Sequence, residues 1–324
     1  VRQAFRKLLD RPAVAPNVKV RSAKTENGLV TEQLSFASEK TAAGEERVPV
    51  LVVRPAKAGR KLPAVIVLHG TGGNKEGVRG WLTDLAKRGI IGVAIDARYH
   101  GERAGGAKRA EAYNAAIVRA WRAKPGERQE HPFYYDTCWD LWKTVDYLAS
   151  RPDVDAGRIG MMGISMGGIE TWLAACVDER VKVIVPAIAV QSFRWGLEHD
   201  RWQARANTIK AAHQAAAKDL GEKAVNRRVC QALWDKVVPG ILDRFDCPSM
   251  LRLAAGRPLL ILGGELDPNC PLPGARLAVA EATRAYQKAG AADKLEVLIA
   301  RGVKHQVTAQ QRKAALDWFA KWLR

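Results

Sequence analysis

A serine lies between two glycines in Gly163-Ile164-Ser165-Met166-Gly167, after the apolar run 159–162 and before the apolar stretch 169–177. Between a strand and a helix, this spacing describes a sharp turn that holds the serine hydroxyl above the end of a sheet. Small neighbours on either side let the backbones approach closely. A helix starting just after the serine also puts the positive end of its dipole where negative charge would build up. A serine hydroxyl is a weak nucleophile at neutral pH, so an imidazole must take its proton during attack and return it to the leaving group. A carboxylate is then needed to hold that imidazole in the working tautomer. Of the six histidines, His69 lies in a Gly-rich turn, and His100, His131, His199 and His213 lie in two long connecting segments. Only His305 follows both Ser165 and the acidic turn Gly264-Glu265-Leu266-Asp267-Pro268, in which Glu265 and Asp267 compete as the acid.

The elements that must position these residues are legible as alternating patterns. Wholly apolar, β-branched runs at 64–68, 90–95, 159–162, 181–185, 259–262 and 295–299 have the composition of strands covered on both faces. Helical stretches at 80–88, 139–150, 169–177, 275–289 and 308–323 separate them. This alternation predicts an α/β fold with a mostly parallel central sheet of about eight strands and helices on both faces. The N-terminal residues 1–20 read as a short helix and an extended arm, and 29–36 and 48–53 as paired strands around a turn at 41–45. The boundaries expected are an N-terminal arm and first strand, 1–46, and a main domain, 47–324. Two connections, 98–135 and 189–257, are too long for simple crossovers and read as lid or cap inserts; the second holds an Ala-rich helix at 204–220.

With these motifs in this order, the chain resembles the α/β-hydrolase superfamily from about residue 48 to its C-terminus. The resemblance is to the branch of dienelactone hydrolases, acetyl-xylan esterases and prolyl-oligopeptidase-type catalytic domains. It implies an α/β-hydrolase fold with a lid insert and a catalytic triad of Ser165, Asp267 and His305. The family pattern G-x-x-D-x-x-x-P aligns Asp267 rather than Glu265, and the family histidine sits in the turn after the last strand, where Lys304-His305-Gln306 stands. The turn His69-Gly70-Thr71-Gly72-Gly73 matches the one that supplies an oxyanion-hole N–H, which implies donors at Thr71 (or Gly72) and Met166. His69 is expected to hold this turn by hydrogen bonding. The segment Asp96-Ala97-Arg98-Tyr99-His100-Gly101 resembles a D-x-R-x-H-G stretch of the same branch and is expected to order loops.

Tyr134 and Tyr135 ahead of a helix, and Trp195 and Trp202 in the second insert, are candidate substrate-binding residues, with core packing as the alternative. Arg194, Arg201 and Arg205 read as solvated lid charges, or else as partners for an acidic substrate. Trp139 and Trp142, three residues apart, mark one buried helix face.

Composition narrows the function. The 324 residues carry 52 Lys plus Arg against 34 Asp plus Glu, a net charge of +18, but the charges are scattered and no nucleic-acid-binding motif accompanies them. No apolar run approaches the roughly 18 residues of a membrane-spanning helix. Five cysteines, an odd number without a CxxC pair, favour a reducing, cytoplasmic setting. The expected activity is hydrolysis of a carboxylic ester of a small or medium-sized substrate through an acyl-enzyme, with no metal or cofactor. A thioesterase, a carbohydrate deacetylase and a small peptidase are the alternatives within enzymes. A small-molecule receptor of the same fold is the alternative outside them.

Overall fold

In the run 62–68, Ala64, Ile66 and Leu68 enter one apolar core while Val65 and Val67 enter a second. The same alternation places Leu259 and Ile261 in the first core and Leu260 and Leu262 in the second. Successive strand side chains point to opposite faces, so a strand apolar throughout needs cover on both.

The computed structural model describes residues 1–42 and 44–324. After helix α1 (Arg2–Leu9) come β1 (Lys19–Glu26), β2 (Leu29–Thr41) and β3 (Gly44–Pro55), which pair antiparallel. Ala43, within the turn expected at 41–45, lies outside the described residues. There follow β4 (Leu62–Leu68), α2 (Arg79–Ala86), β5 (Ile91–Ile95), α3 (Glu111–Arg122), α4 (Tyr135–Ser150), β6 (Val154–Ile164), α5 (Met166–Val177) and β7 (Val181–Ala187). The second insert folds as α6 (Phe193–Glu198), α7 (Gln203–Asn207), α8 (Lys210–Asp219), α9 (Arg227–Val237) and α10 (Cys247–Leu251). The chain ends with β8 (Leu259–Gly264), α11 (Leu272–Lys288), β9 (Leu295–Ala300) and α12 (Ala309–Trp322). The strand order is β1-β2-β3-β5-β4-β6-β7-β8-β9, parallel from β5 to β9. Helices α2 and α12 cover one face; α1, α4, α5 and α11 cover the other.

The sheet has nine strands among the described residues rather than about eight. The extra one is β1, an edge strand whose residues are nearly all exposed and which therefore lacks the apolar alternation that reveals a strand. Its Lys19, Arg21 and Lys24 suit an edge that must not pair with another chain. The helix expected at 204–220 is two helices. The Thr208 hydroxyl donates to the Arg205 carbonyl at 2.8 Å, and Ile209 leaves helical geometry at φ −132°. The two inserts meet where α3 packs on α8 and α9. They form a helical cap tied to the carboxyl edge of the sheet by Ser192 N–H to Gly274 O (3.1 Å) and Arg205 to Asn269 O (2.9 Å).

The segment 96–103 is held by buried charge. Asp140 accepts from Arg98 at 2.9 and 3.0 Å and from Arg103 at 2.8 Å, and Arg98 also reaches Glu39 at 2.9 Å. Asp96 accepts from the Lys75 N–H and from the Lys75 ammonium, at 2.8 and 3.1 Å. Trp139 and Trp142 are buried, and their indole N–H groups donate to Ser38 O and Ala174 O.

Glu170 on α5 is fully buried, and neither carboxyl oxygen has a hydrogen-bond partner among the described residues. Burial, reinforced by the nearby Asp140 carboxylate, pushes its pKa well up over the opposing influence of Thr137. A carboxyl with a raised folded-state pKa favours folding below its unfolded pKa and loses that contribution as pH rises through the folded one. Glu170→Gln has no proton to lose, so its stability relative to wild type should increase from the ordinary glutamate range upward. Denaturant unfolding at pH 5 and pH 8 checks this, and an identical pH dependence in both proteins would refute it.

Candidate active site

Ser165 takes φ 57° and ψ −113°, a strained conformation for a residue with a side chain, at the junction of β6 and α5. Its neighbours must be glycines. A Cβ at 163 would lie 2.1 Å from Gly167 O, one at 167 would lie 2.5 Å from Leu68 Cβ, and one at 168 would lie 2.5 Å from Ala189 Cβ. The Ser165 N–H donates to Ala187 O (2.9 Å) and the Gly167 N–H to His69 O (3.1 Å), which pins the turn to the ends of β7 and β4.

The acid turn and the histidine turn touch backbone to backbone. The N–H groups of Glu265 and Leu266 donate to Ala300 O (3.0 Å) and Val303 O (2.9 Å). The Glu265 carboxylate accepts from the Gly302 N–H at 2.7 Å, so this competitor for the acid role braces the histidine turn from outside. Asp267 is buried; one oxygen accepts from the Asn269 and Cys270 N–H groups, and the other lies 2.7 Å from His305 Nδ1. His305 Nε2 lies 2.8 Å from Ser165 Oγ. With a carboxylate at Nδ1, that nitrogen carries the proton, and Nε2 presents its lone pair to the hydroxyl.

A Cβ at Gly264 would fall 2.3 Å from Lys304 O and 2.5 Å from Val303 O. Gly264→Ala must therefore push the two turns apart. A displacement of this kind should lower kcat by about a hundredfold. Steady-state kinetics on p-nitrophenyl acetate tests this, and an unchanged kcat would contradict it.

The N–H groups of Thr71, Gly72 and Met166 donate to no group of the chain among the described residues, and all three lie in the turns that flank Ser165. Thr71 and Gly72 thus both remain available as the second donor. His69 braces this turn as expected: it accepts from the Ala97 N–H through Nε2 (3.2 Å), so Nδ1 donates to Gly70 O (2.8 Å). Burial lowers its pKa, which keeps it neutral.

The four aromatic candidates diverge. Trp195 borders the acid turn in a cleft that also includes Asp267. Tyr134 is buried, stacks on Phe133 at 3.9 Å and adjoins Arg205. Tyr135 belongs to the core: its ring packs on Phe5 at 5.0 Å and its hydroxyl reaches Pro239 O at 3.3 Å, because α4 begins there and turns it inward. Trp202 packs against the core, and its indole N–H has no hydrogen-bond partner among the described residues.

Arg205 is not a solvated charge; it is buried under the cap. Burial opposes its charge, but Tyr134, Cys270 and Asp267 around it raise its pKa. It donates to Asn269 O and to Cys270 Sγ (3.5 Å), clamping the acid turn. Cys270 is the neighbour that sequence reasoning missed, although it stands three residues from Asp267. Its sulfur, an Asp267 oxygen and a His305 nitrogen lie within 4.8 Å of one another. That donor set could hold a soft metal ion. Each member is already engaged, however: Cys270 donates to Ile188 O at 3.3 Å, and burial pushes its thiol up to about 12. The adjacent Arg205 cation would also oppose a second positive charge.

The acetyl xylan esterase (AXE1) family model matches residues 14–194, more than half of the chain. The chain belongs to this family. It is a carboxylic-ester hydrolase of the α/β-hydrolase fold, acting on a small-molecule or polysaccharide ester. The esterase is 27% identical to YtaP of Bacillus subtilis (strain 168) over 86% of this chain and 85% of that one. Among solved structures, acetyl xylan esterase 1 from Thermoanaerobacterium sp. JW/SL YS485 superimposes with a TM-score of 0.71 at 19% identity, covering 99% of this chain and 92% of that one. A glucuronoyl esterase from Solibacter usitatus gives 0.68 at 18% identity, over 99% and 91%. At these identities the two structures speak for the fold. The family match spans the serine turn and the His69–Gly73 turn, while Asp267 and His305 lie beyond it. Among the described residues of the esterase, no helix is long and apolar enough to cross a membrane.

Proposed function

We propose that this esterase removes an acetyl group from a carbohydrate ester, with Ser165 as nucleophile, His305 as general base and acid, and Asp267 as the group that orients the histidine. The observation that carries the reading is the unbroken line from Asp267 through His305 to a strained Ser165, with contacts of 2.7 and 2.8 Å. As Ser165 Oγ attacks the carbonyl carbon, its proton passes to His305 Nε2, and Asp267 stabilises the imidazolium. The Met166 N–H, together with that of Thr71 or Gly72, receives the developing oxyanion; one such donor is worth roughly 3 to 4 kcal/mol of barrier. His305 then protonates the departing alcohol. Water, activated by the same nitrogen, releases acetate from the acyl-serine. The match to a family named for acetyl xylan supports acetyl as the acyl group and a sugar hydroxyl as the leaving group.

A panel of p-nitrophenyl acyl esters of increasing chain length, run beside acetylated xylo-oligosaccharides, tests the proposal. Acetyl should be the preferred acyl group, and free acetate should appear from the oligosaccharide. Preference for long acyl chains, with no acetate from the sugar, would overturn it.

A further inference from the structure

The run 295–299 has the composition of a strand covered on both faces, yet β9 stands at the end of the sheet and pairs with β8 alone. Strands β4 and β5, of similar composition, are buried throughout. In β9, Leu295 and Val297 are half-buried against one core and Leu298 against the other, while Ile299 is 36% exposed. Apolar side chains on both faces therefore lack a neighbour on the outer side. We propose that this edge is the contact with a second copy of the chain, the two β9 strands pairing antiparallel across a two-fold axis. The nine strands of each copy then join into one sheet of eighteen.

The backbone is free for this pairing. The Ala300 carbonyl accepts from the Glu265 N–H, just beyond β8, at 3.0 Å, so Ala300 faces β8. Backbone groups alternate in direction along a strand, so those of Leu295, Val297 and Ile299 face outward. Among the described residues, no other part of the chain bonds to them. The opposite edge is guarded: β1 carries Lys19, Arg21 and Lys24, whereas the single charge within β9 is Glu296.

Register and charge favour a second copy as the occupant. A register centred on Val297 uses all three outward residues. It sets Val297 opposite its own counterpart and Leu295 opposite Ile299 of the second copy. The acids Asp293 and Glu296 lie near the start of β9, and the cations Arg301 and Lys304 lie just past its end. All four side chains are exposed and make no hydrogen bond or ion pair among the described residues. Antiparallel pairing brings the acidic end of each strand to the basic end of the other, twice by symmetry. It also points the two catalytic lines toward opposite edges of the joined sheet, because each lies at the carboxyl ends of its own strands.

Sedimentation velocity on the whole protein tests the proposal, and wild type should dimerise at micromolar concentration. Ile299→Lys sets a charge opposite Leu295 of the second copy. Val297→Pro removes an outward N–H and none that bonds to β8. Each should weaken association by about tenfold or more, while hydrolysis of p-nitrophenyl acetate within about twofold of wild type shows that the variant is folded. Arg301→Asp should weaken association, and adding Asp293→Arg should restore it, because the reversed ends match again. Hydrogen exchange on wild type needs no variant: the amides of Leu295, Val297 and Ile299 should be protected in the dimer. A wild type that stays monomeric, an oligomer that both edge substitutions leave intact, or edge amides left unprotected in the oligomer would each overturn the proposal.

Discussion

Ser165→Ala is expected to reduce kcat by about 10⁴- to 10⁶-fold while the protein remains folded. Among the described residues the hydroxyl is the only hydrogen-bond partner of His305 Nε2, at 2.8 Å, so no neighbour is placed to take over the attack. Alanine tolerates the site sterically, since it removes one oxygen and leaves the backbone turn, already bounded by Gly163 and Gly167, unchanged. A fluorophosphonate probe should label wild type and fail to label the variant. His305→Ala should cost nearly as much, and the double variant should cost little more than either, because the residues act as one unit. Independent, multiplying losses would contradict the line of proton transfer. A folded wild type that the probe leaves unlabelled would favour a receptor that shares the fold but not the chemistry.

Asp140→Ala is expected to give the largest loss of stability, about 3–5 kcal/mol by denaturant unfolding at neutral pH. Asp140 is fully buried and receives three hydrogen bonds from Arg98 and Arg103, so its removal strips two guanidinium groups of their shared counter-charge. Burial alone would raise its pKa, but Arg103 and Arg98 outweigh this and hold it far below the ordinary carboxylate range. A carboxyl with a depressed folded-state pKa contributes stability above its unfolded pKa and loses it as pH falls toward the folded one. The penalty should therefore be full at pH 7 and shrink only below about pH 4. Activity should fall as well: Arg98 and Arg103 order the segment whose Ala97 N–H holds His69, and His69 in turn holds the turn that offers Thr71 and Gly72. Arg103 also reaches Glu46 at 2.7 Å, so a variant as stable as wild type at pH 7 would show that Glu39 and Glu46 suffice for the two arginines.

The serine turn and the sheet strands were legible because their signals are local. A serine turn needs glycines at 163 and 167 whatever surrounds it, and strands covered on both faces need uninterrupted apolar runs, so both leave marks within a few residues. Chain order, with the resemblance that places the histidine after the last strand, singled out His305. The resemblance separated Asp267 from Glu265, and the geometry explains the difference: Glu265 points to the Gly302 N–H, and Asp267 to the imidazole. Strand β1 left no such mark, because an edge strand with both faces in solvent has no apolar period to read.

The surroundings of the site depended on contacts between residues distant in the chain. Tyr134 and Tyr135 are adjacent in sequence, yet one adjoins Arg205 and the other packs on Phe5, since the start of α4 sends them in different directions. Arg205 and Arg201 sit four residues apart in one insert; one is buried as a clamp on the acid turn and the other is exposed in the cleft. Composition cannot distinguish them, because burial of a cation is decided by the partners that long-range folding brings to it. In this esterase, short-range sequence therefore marked the serine turn and the sheet that carries it, while chain order and the resemblance pointed to the proposed histidine and acid. How the cap packs, a matter of tertiary contacts alone, decided what borders them.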